Sequence, residues 1–395
     1  MKSDHRAKVL ITDAQRPKTL AAVRSLGQRG FRVIAGYDKP HAVAFASKYC
    51  AGRLIYPSPK KQPGEFLAFM LEHLRAERYD CFIPMSDEEV ALVARHREKF
   101  SELTNLVMVD GGTMEVAQDK WRTAEFALAQ GFPHPKTFVV DHLDDLERLQ
   151  NQVPYPAIIK PRISTAAQGL VFVERPEELV PQYLRVHRHF PLPLIQECIP
   201  TNSPKYAVSY LLNHQSQVRA AVVKRFHRQY PVKGGPATCF ETVDRPDLKD
   251  YGGKILETLG WQGVAEVEFL EDERDGEVKL IEINPRFSAT LALTIQAGVE
   301  LPHLLYSLGT EGDVEPCMDY QVGKICRSML PGEVLHFLTN GRRWRMEPSF
   351  WRFRGPNLGY SVWSRDDVRP AFANLRFALK SLFDRKMLDL VFRRL

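Results

Sequence analysis

The 395-residue chain has no run of about 18 apolar residues, so no membrane-spanning helix is expected. Its six cysteines, at positions 50, 81, 198, 239, 317 and 326, are scattered. None makes a C-x-x-C pair and no zinc spacing appears, which fits a reduced, cytoplasmic protein. G-x-G-x-x-G is missing from the early loops, which argues against a dinucleotide there. No Ser-His-Asp or Cys-His arrangement is evident, so nothing points to a covalent nucleophile. Internal repeats and low-complexity segments are absent as well.

What is present is the composition of a soluble globular protein, 44% hydrophobic and 26% charged, long enough for two to three domains. The start, "MKSDHRAKVLITDA", reads as an opening strand rather than a signal peptide. The net charge of +6 is uneven. Residues 341–395 hold thirteen Lys/Arg against five Asp/Glu, a net of +8, which leaves −2 for the rest. Basic character is thus a property of the C-terminal tail.

"KVLITDA", "FRVIAGYD" and "DCFIP" alternate with the helical stretches "PKTLAAVRSLGQRG" and "PGEFLAFMLEHLRAERY". This predicts a parallel sheet with crossover helices, which binds ligands at the carboxyl ends of its strands. The loops "TDAQRPK" and "PMSDEEV" sit at such ends and are candidates for a substrate pocket, although Ser86-Asp87-Glu88-Glu89 is also a good helix start. A second unit begins near Asp110. It holds the helix "TMEVAQDKWRTAEFALAQG", a strand in "FPHPKTFVV", and a strand pair, "YPAIIKPR" and "LVFVE", around the loop "ISTAAQG". Two hairpins follow, over "KYAVSYLLNHQSQVRAAVVKRFH" and "GVAEVEFLEDERDGEVKLIEINPR", the latter turning at Asp275-Gly276.

The stretch "KLIEINPRFSATL", residues 279–291, carries the chemistry. Glu282, Asn284 and Arg286 are two apart, so a strand aims all three to one face. A tight hairpin sets Glu268, in "AEVEF", beside Glu282. Two adjacent carboxylates need a cation between them or a shared proton. Glu, Glu and an Asn carbonyl are hard oxygen ligands that suit Mg²⁺ shared with phosphate, and Arg286 offers a two-pronged donor to the same place. Lys160, ending "YPAIIK", gains a role as a point charge on ATP beside such a site, with Lys120 in "AQDKWR" a second candidate. Backbone N–H groups of "STAAQG" are placed to cover phosphates. Lys224, Arg225, His227, Arg228 and Lys233 surround a Gly234-Gly235 hinge, forming a basic loop able to close over an anionic substrate.

Taken in order, "AQDKWRTAEFALAQGFPHPKTFVV", "PAIIKPR", "LIQECIP", "AVVKRFHRQYPVKGGPATCFETV", "GVAEVEF" and "LIEINPRFS" resemble the ATP-grasp superfamily, and within it the predicted carboxylate–amine ligases, over roughly residues 8–310. The last stretch is also similar to the large subunit of carbamoyl-phosphate synthase. The resemblance implies an α/β and α+β architecture: a Rossmann-like pre-ATP-grasp domain (1–110), a two-lobed ATP-grasp domain (111–310, mobile lobe about 135–200) and a basic helical C-terminal extension (311–395). It implies that Lys120 and Lys160 hold ATP phosphates, and that Glu197, with the backbone of Cys198 and Ile199, forms the adenine hinge. Glu268, Glu282 and Asn284 would bind two Mg²⁺, with Mn²⁺ as an alternative. Arg286 would act on the transferring phosphoryl group, with Lys160 and Arg225 as further catalytic candidates. The implied reaction joins a small-molecule carboxylate to an amine through an acyl phosphate, releasing ADP and phosphate. A bicarbonate-phosphorylating enzyme and a nucleotide-binding protein without turnover are the rival readings. Two departures from the family's usual pattern stand out: the phosphate loop holds one glycine, and "TNSPKY" offers no acid to the ribose.

In the tail, Phe372, Leu375, Leu379, Leu382 and Phe383 have helical spacing. A helix packed on the body is the first expectation and peripheral contact with an anionic membrane the second, which would put a cytoplasmic protein at the inner face of the membrane. Nucleic acid is disfavoured, and a homodimer is an option.

Overall fold

The computed structural model describes residues 6–382 except 165, 166, 201 and 233. Lys233 of the basic loop, Thr165 and Ala166 of the phosphate loop, Thr201 of "TNSPKY" and the tail from Phe383 onward lie outside the described residues.

Three sheets organise the chain. The first contains β1 (Lys8–Ile11), β2 (Arg32–Tyr37), β3 (Cys50–Ile55) and β4 (Cys81–Ile83) in the order β3-β2-β1-β4, all parallel. Val9, Leu10 and Ile11 are fully buried, as a strand covered on both faces requires. The crossover helix Pro17–Gln28 starts on Pro17, whose missing N–H costs nothing at that position.

The second sheet contains β5 (Thr137–Phe138), β6 (Ala157–Lys160), β7 (Val171–Val173) and β8 (Leu194–Glu197), antiparallel in the order β5-β8-β6-β7. It has its own core of Val140, Leu146, Ile159, Leu179, Tyr183 and Ile195, apart from the rest of the molecule. "FPHPKTFVV" yields only a two-residue strand, because its prolines cannot donate to a ladder.

The third sheet takes β9 (Lys205–Leu212), β10 (Val218–Gln229), β11 (Ala237–Thr242), β12 (Gly263–Glu271), β13 (Val278–Asn284), β14 (Ile325–Arg327) and β15 (Leu358–Tyr360), ordered β13-β12-β9-β10-β11-β14-β15. Both expected hairpins are here. The segment after 310 holds helices, among them Arg369–Leu382, and also two short strands. β14 pairs with β11, and β15 pairs with β14, so the sheet continues into that segment. A buried ion cluster fixes the join: Glu333 accepts from Arg228 (2.7 Å), Arg327 (2.9 Å) and Thr238 (2.8 Å). The first and third sheets share apolar packing, with Leu10, Phe82 and Phe100 in the same cluster as Tyr210, Trp261 and Phe269.

Candidate active site

Strand alternation builds one polar face across the third sheet. Glu268 is the direct cross-strand partner of Glu282, and Glu266 of Asn284. On the next strand Ser209 is the partner of Glu266 and Ala207 of Glu268, and Lys224 of β10 is the partner of Ala207. With period 2, all these side chains emerge on the same side.

The two carboxylates converge on one amide. Asn284 Nδ2 donates to Glu268 Oε1 at 3.2 Å and to Glu282 Oε1 at 3.4 Å, and Asn284 Oδ1 accepts from Arg286 at 3.0 Å. Lys205 Nζ lies 2.7 Å from Glu268 Oε2, and Lys120 Nζ lies 4.0 Å from Glu282 Oε2. Burial pushes the Glu268 carboxyl up to about 7; Lys205 opposes this and the Glu282 charge adds to it. Burial acts the same way on Glu282, but Lys120, Lys205 and Lys160 outweigh it and hold its pKa below the ordinary value. Burial is thus what disfavours the charged form of Glu268, and a cation bound between the two carboxylates would favour it. Among the described residues, no group of three or more His, Cys, Asp or Glu side chains is gathered as a metal site. The Asn284 carbonyl faces Arg286 and its NH₂ faces the carboxylates; with that amide turned over, a divalent ion would rest on the two carboxylates, the Asn284 carbonyl and oxygens of a ligand, a set suited to Mg²⁺.

Two lysines approach this face, Lys160 from the second sheet and Lys120 from the helix that precedes it. Lys160 is buried at the end of β6 and donates to Gln196 Oε1 on β8 at 2.7 Å. Burial, and then Lys120, bring its pKa down to about 7. Lys120 opens the helix Lys120–Gln130, capped by Asp119, and donates to the Ser164 carbonyl at 3.0 Å in the phosphate loop. That loop's single glycine, Gly169, has φ +73°, and a Cβ there would meet Phe190 and Pro161 at 2.7 Å. This one position demands glycine for shape.

Glu197 closes β8 beside Ala157 of β6. Its carboxylate accepts from the Lys136 N–H at 2.9 Å and from Arg274 at 3.3 Å. The Cys198 N–H donates to the Pro156 carbonyl at 3.0 Å, so that amide already serves the sheet. Cys198 and Ile199, both buried, follow directly on the strand that carries Gln196.

Arg286 is held by the first sheet. Its Nε donates to Asp87 Oδ1 at 2.7 Å. Ser86 and Glu89 form a capping box, so "SDEE" does start a helix, and the Asp87 side chain additionally reaches the site. Lys18, from "TDAQRPK", is buried and donates to the carbonyls of Met85 and Phe287. Burial, and then Arg286, lower its pKa to about 7, whereas burial and Glu89 raise Asp13 to about 7. The two carboxyl-end loops thus meet the end of β13 at Arg286.

Arg225 does not join this group. Its register partners are Tyr206 and Glu241, so alternation sends it to the opposite face, where it is exposed. Its neighbour Lys224 takes the inward position, fully buried, and donates to Glu266 (2.6 Å), Ser209 (2.7 Å) and Thr290 (2.6 Å). Sequence reasoning misses Glu266, Lys18, Gln196 and the site role of Lys205. Glu266 has a visible signal, lying two residues before Glu268; the others become neighbours only through cross-strand register and packing.

Residues 117–290 match the family model described as an ATP-grasp domain. Solved structures that share the fold include the following three. The biotin carboxylase domain of the Hydrogenobacter thermophilus 2-oxoglutarate carboxylase, solved with MgADP, ADP and bicarbonate, is 15% identical, with a TM-score of 0.63 over 80% of this chain and 73% of that one. N5-carboxyaminoimidazole synthetase from Staphylococcus aureus is 13% identical, with a TM-score of 0.63 over 81% of this chain and 80% of that one. L-amino acid ligase from Bacillus licheniformis is 16% identical, with a TM-score of 0.60 over 78% of this chain and 75% of that one.

Proposed function

From the match of residues 117–290 to the ATP-grasp domain model, we propose that the protein is an ADP-forming ligase that activates a small organic acid as an acyl phosphate and joins it to an amine. The observation that carries this reading is the cross-strand pair Glu268–Glu282, tied by Asn284 to Arg286 and faced by Lys120 and Lys160. ATP would lie between the second and third sheets, its adenine near Glu197, Cys198 and Ile199. Glu268, Glu282 and Asn284 would hold Mg²⁺, which neutralises phosphate charge when bound.

Lys120 and Lys160 would hold the phosphates as point charges, and Arg286, oriented by Asp87 and Asn284, would follow the phosphoryl group as it moves. In the first step an oxygen of the acid's carboxylate bonds to the γ-phosphorus while the bond to the ADP oxygen breaks. In the second the amine nitrogen bonds to the acyl carbon, the C–O bond to phosphate breaks, and the amine gives up a proton. The acid would enter against the loops bearing Asp13, Arg16 and Lys18, beside Arg286. None of this asks for a covalent nucleophile on the protein.

The test is an ADP-release screen of amino acids, uronic acids and other small carboxylates, each with and without an amine, followed by mass spectrometry of the products. Acid-dependent ADP release with an amide product is expected. ADP release with bicarbonate alone would favour the bicarbonate-phosphorylating alternative, and nucleotide binding without ADP release under any pairing would overturn the ligase reading.

A further inference from the structure

We propose that the C-terminal extension is a docking surface for an anionic lipid bilayer, fixed to the catalytic body. Ten of the seventeen exposed large apolar side chains among the described residues lie between Leu338 and Leu379. Trp344 is 72% exposed and Phe372 66%. Trp344 stacks on Trp351 with ring centroids 6.2 Å apart, and Trp351 stands 6.3 Å from Phe353. On the helix Arg369–Leu382, Phe372, Leu375 and Leu379 are spaced i, i+3, i+7 and form one exposed stripe. A cavity of about 350 Å³, lined by Met329, Leu330, Phe353, Trp363, Ala371 and Asn374 among others, joins the aromatic cluster to this helix. Exposed apolar side chains gathered this densely in one segment mark an interaction surface.

Charge complementarity names the occupant. Residues 341–382 hold nine Lys/Arg and three Asp/Glu. Two of the three acids turn inward or sideways to the first sheet's unit. Asp367 accepts from Arg24 (2.9 Å) and Ser47 (2.6 Å), and Asp366 pairs with Lys48 (2.6 Å). Arg376 and Lys380 lie four and eight residues after Phe372, flanking the apolar stripe. On this helix a stripe of Phe and Leu with Arg376 and Lys380 alongside is the composition of a helix lying in the headgroup region. A second copy docked face to face would oppose the same cations. A nucleic acid would meet the arginines but leave Phe372, Leu375 and Leu379 without partners of their kind. No helix among the described residues is long and apolar enough to cross a membrane, so the contact is peripheral. The ties of Asp367 to Arg24 and Ser47, and of Glu333 to Arg228 and Arg327, make the surface rigid with the body rather than a loose tether.

The test uses the full chain in a flotation assay with phosphatidylcholine vesicles containing or lacking phosphatidylserine. Flotation is expected only with the anionic vesicles, weakening as salt rises. Trp344→Ser/Trp351→Ser and Phe372→Ser/Leu379→Ser should each lower the bound fraction by about fivefold or more. Brominated anionic lipid should quench tryptophan emission of the unaltered protein, a readout independent of whether the variants fold. No flotation, equal flotation on neutral vesicles, or a stable dimer in solution whose Trp344 and Trp351 are covered would each overturn the proposal.

Discussion

The chain concentrates basic residues in two regions, and they behave in opposite ways. In the cleft, Lys18, Lys160 and Lys224 are buried, and Lys205 and Arg286 are largely so. Each faces a carboxylate, a carbonyl or a ligand position. In the C-terminal extension, Arg342, Arg345, Arg352, Arg354, Arg365, Arg369, Arg376 and Lys380 are exposed. The net charge of +6 comes from the second region, while the proposed chemistry belongs to the first. Desolvation makes the difference: a buried charge must be matched by a partner and responds strongly to a ligand, whereas a solvated one is screened and individually worth little. Counting charge along a sequence finds a surface; finding a site requires knowing which charges have lost water. The buried pairing of Arg228 and Arg327 with Glu333 marks where one regime meets the other.

That contrast can be broken by substitution. The largest effects are expected in the cleft. Arg286→Ala should slow acid-dependent ADP release by on the order of 10²–10³, the scale for removing an oriented donor at developing charge. Glu282→Gln should do the same and raise the Mg²⁺ concentration needed for half-maximal rate. Normal turnover in either variant would remove these residues from the chemistry. Next comes Lys224→Met, which leaves Glu266 buried without its cation and should destabilise folding by about 3–5 kcal/mol in urea titrations. Adding Glu266→Met should restore much of that loss, since no charge is then stranded.

A smaller effect is expected from pH. The folded, free protein holds Lys160 near 7, well below the usual lysine range. A bound triphosphate favours the charged form and raises that pKa. Between the two values, binding takes up a proton, so affinity should strengthen as pH falls from about 9 toward 7. Calorimetry at about pH 8 in buffers of different ionisation enthalpy should show the uptake, and Lys160→Met should abolish it. Smallest of all is Arg225→Ala on the outer face of β10, which should change turnover by less than about twofold and stability by about 0.5 kcal/mol or less. A hundredfold loss there would mean that the two faces of the sheet are not as separate as their register makes them.

Much of the site is legible in short stretches of the chain. "LIEINPR" puts three polar side chains on one face because a strand repeats every two residues, and Asp275-Gly276 closes the hairpin that brings Glu268 opposite Glu282. The same rule, applied to "VKRF", separates Lys224 from Arg225, but does not say which of them faces inward. That choice follows from β9, β11 and β12 lying alongside, where only Lys224 finds Ser209 and Glu266. The strands after residue 310 are hidden for a related reason. "ICR" and "LGY" are three residues each, too short for any periodicity, and exist because β11 offers an open edge.

Local sequence by itself determined the alternation of helices and strands, the hairpins, the carboxylate pair and the helical spacing of the tail, because these depend on residues a few positions apart. The tertiary structure alone decided that Asp87 reaches Arg286 across 199 positions, that Lys120 and Lys160 face Glu282, and that Trp344, Trp351 and Phe372 remain in water. Those outcomes turn on which surfaces lose solvent when separate elements meet, and no short-range pattern records that.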